Sequence, residues 1–312
     1  MKWSVSTTKL FQTCPRKYYY QQILADKNSD DPRAKEAYAL KKLQNLYAWR
    51  GSLVDGVISR FIVPIINHRE QIQADEIIAY AKDLTRKELN CVRESIVNGS
   101  IGQSNGNGNL GFFELEYGHD VNLDLINTLE NDVVKSLQNL FNSSLFSEIK
   151  DSQSYLIAQR TFRFSFNNLT ISCTPDLIVF SKNDPPKVVD WKVESIFREH
   201  WLQLGIYGFA LSKVSPHKDF PSKWRDFIKN PRNIDLIEFQ LLRNKEQKYK
   251  INDDDLVDIE DYIHVTSSQI TKLIGNSQPV DINQFPTAKS PETCLKCQYR
   301  KMCWRELGYD PI

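Results

Sequence analysis

The hydrophobic pattern of this chain changes character near its middle. Through the first half, apolar positions recur at helical spacing, and Leu46, Trp49, Leu53, Val57 and Phe61 fall on one stripe. That stripe predicts a helix over about 34–63, interrupted near Gly51, after a polar break at 26–32. An earlier helical stretch covers 6–23. Ser6 or Thr7 can cap it, and Pro15 should end or kink it near Cys14 or open a second helix there. Residues 98–111 hold five of the chain's twelve glycines and read as a surface loop, after which 121–148 return to helical spacing. The period then drops to two. Residues 156–166 alternate as a strand, Asn167-Asn168 suits a tight turn, 169–180 form a second strand and 187–192 a third. A helix over 198–213, a strand over 234–242 and a helix over about 254–274 follow, the last with an acidic first turn that complements the helix dipole.

Helices, then a three-strand meander, then helix and strand predict an α/β domain with a small mixed sheet flanked by helices. With 312 residues and no internal repeat, we expect one domain. Its parts are a helical region over 1–150, a core over 151–245 and a tail over 246–312.

Composition narrows the class only a little. Hydrophobic residues at 41% and charged residues at 25% are ordinary for a soluble protein. A net charge of +1 removes any global signature of nucleic-acid binding. The local basic clusters Arg16-Lys17, Lys41-Lys42 and Arg243 to Lys250 read as solvated surface. No apolar run reaches the ~18 residues of a membrane span, and Met1 to Ser6 lack a secretory pattern, so a cytoplasmic location and no membrane partner are expected.

Structural disulfides are rare in that compartment, and cysteines at metal spacing then read as ligands. Cys294, Cys297 and Cys303 follow a C-x2-C-x5-C spacing, and Cys14, near the opposite end, is the natural fourth thiolate. Such a centre would tie the first helix to the last. Cys91 and Cys173 have no such company and are expected to be buried as small hydrophobes.

A second constellation is acidic. Asp176 lies in the second predicted strand, and the third carries Val188-Val189-Asp190-Trp191-Lys192, so Asp190 and Lys192 point to one face. Fourteen residues separate the two aspartates, enough for neighbouring strands. Paired carboxylates repel unless a cation lies between them, and oxygen ligands suit Mg²⁺ or Mn²⁺. Gln203 and Tyr207 share a helix face at i, i+4, and Asp55 can supply a further carboxylate.

Taken in order, these residues resemble the PD-(D/E)XK nuclease superfamily, in its RecB-like branch with an iron–sulfur cluster, the branch of the AddB nuclease and the nuclease of CRISPR adaptation. The resemblance runs from Ser4 to Cys303. It rests on Ser4-Val-Ser6 with Cys14-Pro15, on Gly51-Ser-Leu-Val-Asp55, on Asp176, on Asp190-x-Lys192, on Gln203-x-x-x-Tyr207 and on the three C-terminal cysteines. One position departs from the pattern: Asp55 stands where the family has a metal-binding histidine, which hardens the site toward oxygen-preferring ions.

The resemblance implies a restriction-endonuclease-like core whose termini are joined by a cluster. It implies a [4Fe–4S] cluster on Cys14, Cys294, Cys297 and Cys303, with structural zinc as the competing occupant. Asp55, Asp176 and Asp190 would bind Mg²⁺ or Mn²⁺; Lys192 would stabilise charge developing on the phosphate or position the attacking water, and Gln203 and Tyr207 would orient the Lys192 strand or the DNA backbone. The implied partner is DNA, as single strands or strand ends. The rival reading is a DNA-binding module that cuts nothing. No phosphate loop of the Gly-x-x-x-x-Gly-Lys-Ser/Thr type is present, so any motor would come from a helicase or defence-complex partner.

Overall fold

A computed structural model describes residues 2–97, 111–151, 153–194, 200–214, 218–275 and 280–309. Its strands are β1 (Lys2–Trp3), β2 (Tyr155–Ala158), β3 (Phe162–Phe166), β4 (Leu169–Cys173), β5 (Leu177–Phe180), β6 (Lys187–Lys192), β7 (Asp235–Gln240) and β8 (Lys245–Tyr249). They form two sheets, a five-stranded one in the order β2-β5-β6-β7-β8 and a three-stranded one in the order β1-β4-β3. In the large sheet β6 and β7 are parallel and the other pairs antiparallel, which makes it mixed.

The expected meander is therefore split. The 156–166 strand is two strands in different sheets, parted at Gln159, whose φ of 50° lies in the left-handed region that ends an extended run. The 169–180 strand is likewise β4 and β5, parted where Pro175 removes a ladder donor. Both breaks fall at the seam between the sheets, and Asp176 sits in the second of them.

Alternation along the large sheet sorts its two faces. Val179, Val189, Ile237 and Phe239 pack into a core with the helices Leu46–Val57, Ala74–Glu88 and Leu123–Phe141. Ile178, Val188 and Leu236 face the other way, against the helix Trp201–Lys213. All are buried, and each contributes about 1.5–3 kcal/mol of transfer free energy. Asp190 and Lys192 share the parity of Val188, so they point toward Trp201–Lys213.

The helical expectations need adjustment at their ends. Ser4, not Ser6 or Thr7, caps the first helix, in a capping box with Thr7. The helix Val5–Thr13 stops at Cys14, and Pro15 opens the next turn. The long central helix breaks at residues 42–45, not near Gly51; Asn45 caps the new start, and Gly51 lies inside Leu46–Val57. Residues 121–148 are two helices, Leu123–Phe141 and Ser144–Asp151. The helix placed at 198–213 is Trp201–Lys213; residues 198 and 199 lie outside the described residues, as do 98–110 of the glycine-rich loop. The late helix is Asp253–Ile274, and its basic neighbours Lys245 and Lys248 belong to edge strand β8.

The chain ends meet through packing. Phe11, Tyr18, Tyr19 and Tyr20 form one buried cluster with Ile270, Phe285, Tyr299 and Met302. Tyr20 stacks on Tyr299 with ring centroids 5.4 Å apart, and Tyr20 Oη donates to Glu306 at 2.7 Å. Buried Arg16 Nε donates to the Phe285 carbonyl at 3.1 Å.

Candidate active site

The large sheet brings together every predicted catalytic residue. Asp55 comes from the helix Leu46–Val57, Asp176 from the seam before β5, Asp190 and Lys192 from the end of β6, and Gln203 from Trp201–Lys213. Asp55, Asp176, Asp190, Lys192 and Gln203 line one cleft, together with Gly51, Ser52 and Trp191. Tyr207, one helical turn beyond Gln203, accepts a hydrogen bond from Gln203 Nε2 at 3.0 Å.

The carboxylates are held by donors. The Trp191 N–H donates to Asp176 Oδ2 at 2.9 Å, across the antiparallel β5–β6 pair. Gln203 Nε2 donates to Asp190 Oδ1 at 3.1 Å, and Lys192 Nζ lies 2.5 Å from Asp190 Oδ2. Gln159 Nε2 donates to Asp55 Oδ2 at 2.8 Å and to Asp176 Oδ1 at 3.2 Å, so an amide edge stands between two acids. Asp55 Oδ1 is buried with no hydrogen-bond partner among the described residues.

The electrostatics follow from that crowding. Burial, reinforced by the charges of Asp190 and Asp55, pushes the Asp176 carboxyl up to about 8. Burial also raises Asp55, with Gln159 opposing and the Asp190 charge reinforcing. For Lys192 burial acts to lower the pKa, but the Asp190 charge and hydrogen bond and the Asp176 charge outweigh it, so the ammonium is held charged. Burial raises the Tyr207 phenol, as do the charges of Asp190 and Asp176, so it stays a neutral hydroxyl.

Such a set fits a hard divalent cation. The donors are all oxygen, one carboxylate oxygen is buried without a partner, and the mutual repulsion is of the kind a cation relieves. Among the described residues, however, no group of three or more His, Cys, Asp or Glu side chains is placed to hold a metal ion.

Several residues at the site escaped the sequence reading. Arg50, 4% exposed, contacts Asp132 and the Val193 carbonyl through its guanidinium, tying the Asp55 helix to the strand end that carries Lys192. Lys9 Nζ donates to Gln203 Oε1 at 2.9 Å. Gln159 bridges Asp55 and Asp176. Glu238 is fully buried, is the register partner of Asp190 on β7, and accepts from the His200 N–H at 3.0 Å. Arg50 stands one residue before the Gly51–Asp55 motif; no local pattern marks the other three.

The four predicted cluster ligands line a common pocket, but they too do not form a group able to hold a metal ion among the described residues. Cys14, Cys294, Cys297 and Cys303 line one small cavity with Arg16, Lys17 and Tyr20. Cys14 Sγ accepts from the Lys17 N–H at 3.4 Å, and all four thiols are free of disulfides. Burial raises Cys303 to about 11, with Arg16 opposing, and also raises Cys297 and Cys294. An all-sulfur donor set suits iron–sulfur clusters or zinc, and nearby cations offset thiolate charge. Of the other two cysteines, Cys173 is buried as expected, while Cys91 is only half-buried.

Clustered carboxylates and a lysine at the end of a mixed sheet flanked by helices define a restriction-endonuclease-like protein. A model of the PD-(D/E)XK nuclease superfamily matches residues 2–304, and the chain belongs to that superfamily. No curated protein matches the chain. No helix among the described residues is long and apolar enough to cross a membrane.

Proposed function

We propose that this protein is a Mg²⁺- or Mn²⁺-dependent deoxyribonuclease that hydrolyses phosphodiester bonds of single-stranded DNA or strand ends. The observation that carries the reading is the meeting of Asp55, Asp176 and Asp190 with Lys192 in one cleft. Asp55, Asp176 and Asp190 would hold the ion. When bound, the divalent ion supplies Lewis acidity, neutralising phosphate charge and acidifying water. Lys192, kept protonated beside Asp190, stabilises charge developing on the phosphate oxygens. Gln203 orients Asp190 through one amide hydrogen and holds Tyr207 and Lys9 on its other contacts.

Cys14, Cys294, Cys297 and Cys303 are assigned to a structural [4Fe–4S] cluster, as in the RecB-like branch, with zinc as the alternative. Biological roles that suit such an enzyme are DNA repair, recombination or phage defence, beside a helicase or defence-complex partner. The test is an anaerobic incubation of the protein with end-labelled single-stranded DNA, duplex DNA and RNA, with Mg²⁺, Mn²⁺ or chelator. Metal-dependent loss of single-stranded DNA supports the reading. Tight DNA binding with no cutting in either metal favours the rival, a non-catalytic DNA-binding module.

A further inference from the structure

Beside the carboxylate cleft lies a second, larger cavity of about 510 Å³ that shares Gln203 with it. Its chemistry is the opposite of the cleft's. Lys2, Lys9 and Arg163 line it, with the hydroxyls of Ser4, Thr161 and Thr174, and no Asp or Glu does. None of the three cations has an ion-pair partner among the described residues, and Lys2 and Arg163 are exposed.

The three-stranded sheet explains how this wall is built. Lys2 pairs with Thr170 and Arg163 with Ser172, so these residues share one face of β1-β4-β3. The opposite face carries Trp3, Ile171 and Phe164, which pack with Ile206, Phe209, Ile259 and Ile263. One apolar face anchors the small sheet to the core, and its polar face forms the floor of the groove. At the groove's end Lys9 reaches Gln203, and Gln203 reaches Asp190, so the cationic wall runs up to the catalytic carboxylates.

We infer that this groove is the track for the sugar–phosphate backbone of single-stranded DNA, with Lys2 and Arg163 each neutralising a phosphate that flanks the one at Lys192. Cations without an ion-pair partner among the described residues, set beside hydroxyls, recognise phosphate without reading bases. The volume is that of a small-ligand cleft, roughly 300–1,000 Å³, which admits a nucleotide or two of one strand and not a duplex. The inference deepens the nuclease reading and rests on it for the position of the scissile phosphate.

The experiment measures binding without cutting. A fluorescent oligothymidylate is titrated with the cluster-loaded protein in chelator across a series of salt concentrations, using wild type, Lys2→Gln, Arg163→Gln and the double variant. Each lost phosphate contact should lower the slope of log affinity against log salt by about 0.7, and the double variant by about 1.4. A blunt duplex of the same length should bind more weakly than the single strand. Thermal melts check that these exposed, unpaired positions leave the fold intact, and the single variants decide the matter if the double variant does not fold. Unchanged slopes, or a duplex bound as tightly as the single strand, overturn the groove. Wild type that binds with the expected slopes but never cuts in Mg²⁺ or Mn²⁺ contradicts the nuclease reading alone. Cutting with unchanged slopes contradicts the groove alone.

Discussion

Gln203 Nε2 donates a 3.1 Å hydrogen bond to Asp190 Oδ1, joining the helix Trp201–Lys213 to the strand end that carries Lys192. The same amide donates to Tyr207, and its oxygen accepts from Lys9. Gln203→Ala would leave three polar groups short of a partner. Outer partners of metal-binding carboxylates typically affect affinity or activity by about 10–100-fold. We therefore expect a loss of that size in kcat/KM on single-stranded DNA, with higher metal demand. Tyr207→Phe, which leaves the Asp190 contact in place, should cost less. Steady-state kinetics at several Mg²⁺ concentrations separate the two.

The Asp176 carboxyl titrates far above its unfolded value. At about 8 it keeps its proton in the metal-free fold, whereas the unfolded chain has lost it above about pH 4. The native state then binds more protons between those limits, so metal-free stability should fall as pH rises from about 4 to about 8. A divalent cation must displace that proton, so Mg²⁺ affinity should rise with pH over the upper part of that range. Melting curves with and without Mg²⁺ at pH 5 to 9, compared with Asp176→Asn, check both statements. The variant should lose most of the pH dependence of the metal-free form.

Arg50 is a positioning residue. Its buried guanidinium links Asp132 and the Val193 carbonyl, holding the Asp55 helix against the end of β6. Asp132 is partly exposed, so removing its partner costs less than breaking a fully buried pair, about 1–3 kcal/mol. Arg50→Met should lower stability by that order, measured by denaturant unfolding. Arg50→Lys, which keeps the charge but loses the planar fork, should recover only part of it.

The two chain ends already pack through Tyr20, Tyr299 and Phe285. Loss of one thiolate should nonetheless destabilise the protein, because the binding free energy of a structural centre is folding free energy. Cys14→Ala is expected to lose the brown colour of an iron–sulfur protein and to melt earlier. The fraction that remains folded should keep its DNA cutting. A colourless wild type with stoichiometric zinc would assign the four thiolates to zinc instead.

Much of the site was legible because its motifs are short and ordered along the chain. Asp190-x-Lys192 lies on one short strand, where residues two apart share a face, and Gln203-x-x-x-Tyr207 lies on a helix where i, i+4 is a single face. Asp55 was legible from its spacing to Gly51. The seam was not. Alternation reads straight through 156–166, and nothing local shows that Gln159 turns left-handed and passes the chain to a second sheet. The three-stranded sheet was missed with it, since β1 is two residues long and pairs with β4, far away in sequence. Arg50 reaches Asp132 across 82 residues, Lys9 reaches Gln203 across 194 and Gln159 reaches Asp55 across 104, separations that no window on the chain reports.

The central claim is that Asp190 and Lys192 perform phosphodiester hydrolysis in the cleft. Its most direct test compares wild type with Asp190→Asn and Lys192→Met, near-isosteric changes, for cleavage of labelled single-stranded DNA in Mg²⁺ or Mn²⁺ under anaerobic conditions. The account predicts metal-dependent cutting by wild type and a fall of at least about 100-fold in each variant, as for loss of a residue that stabilises transition-state charge. Equal rates in all three proteins, with each shown to be folded by its melting curve, would contradict it.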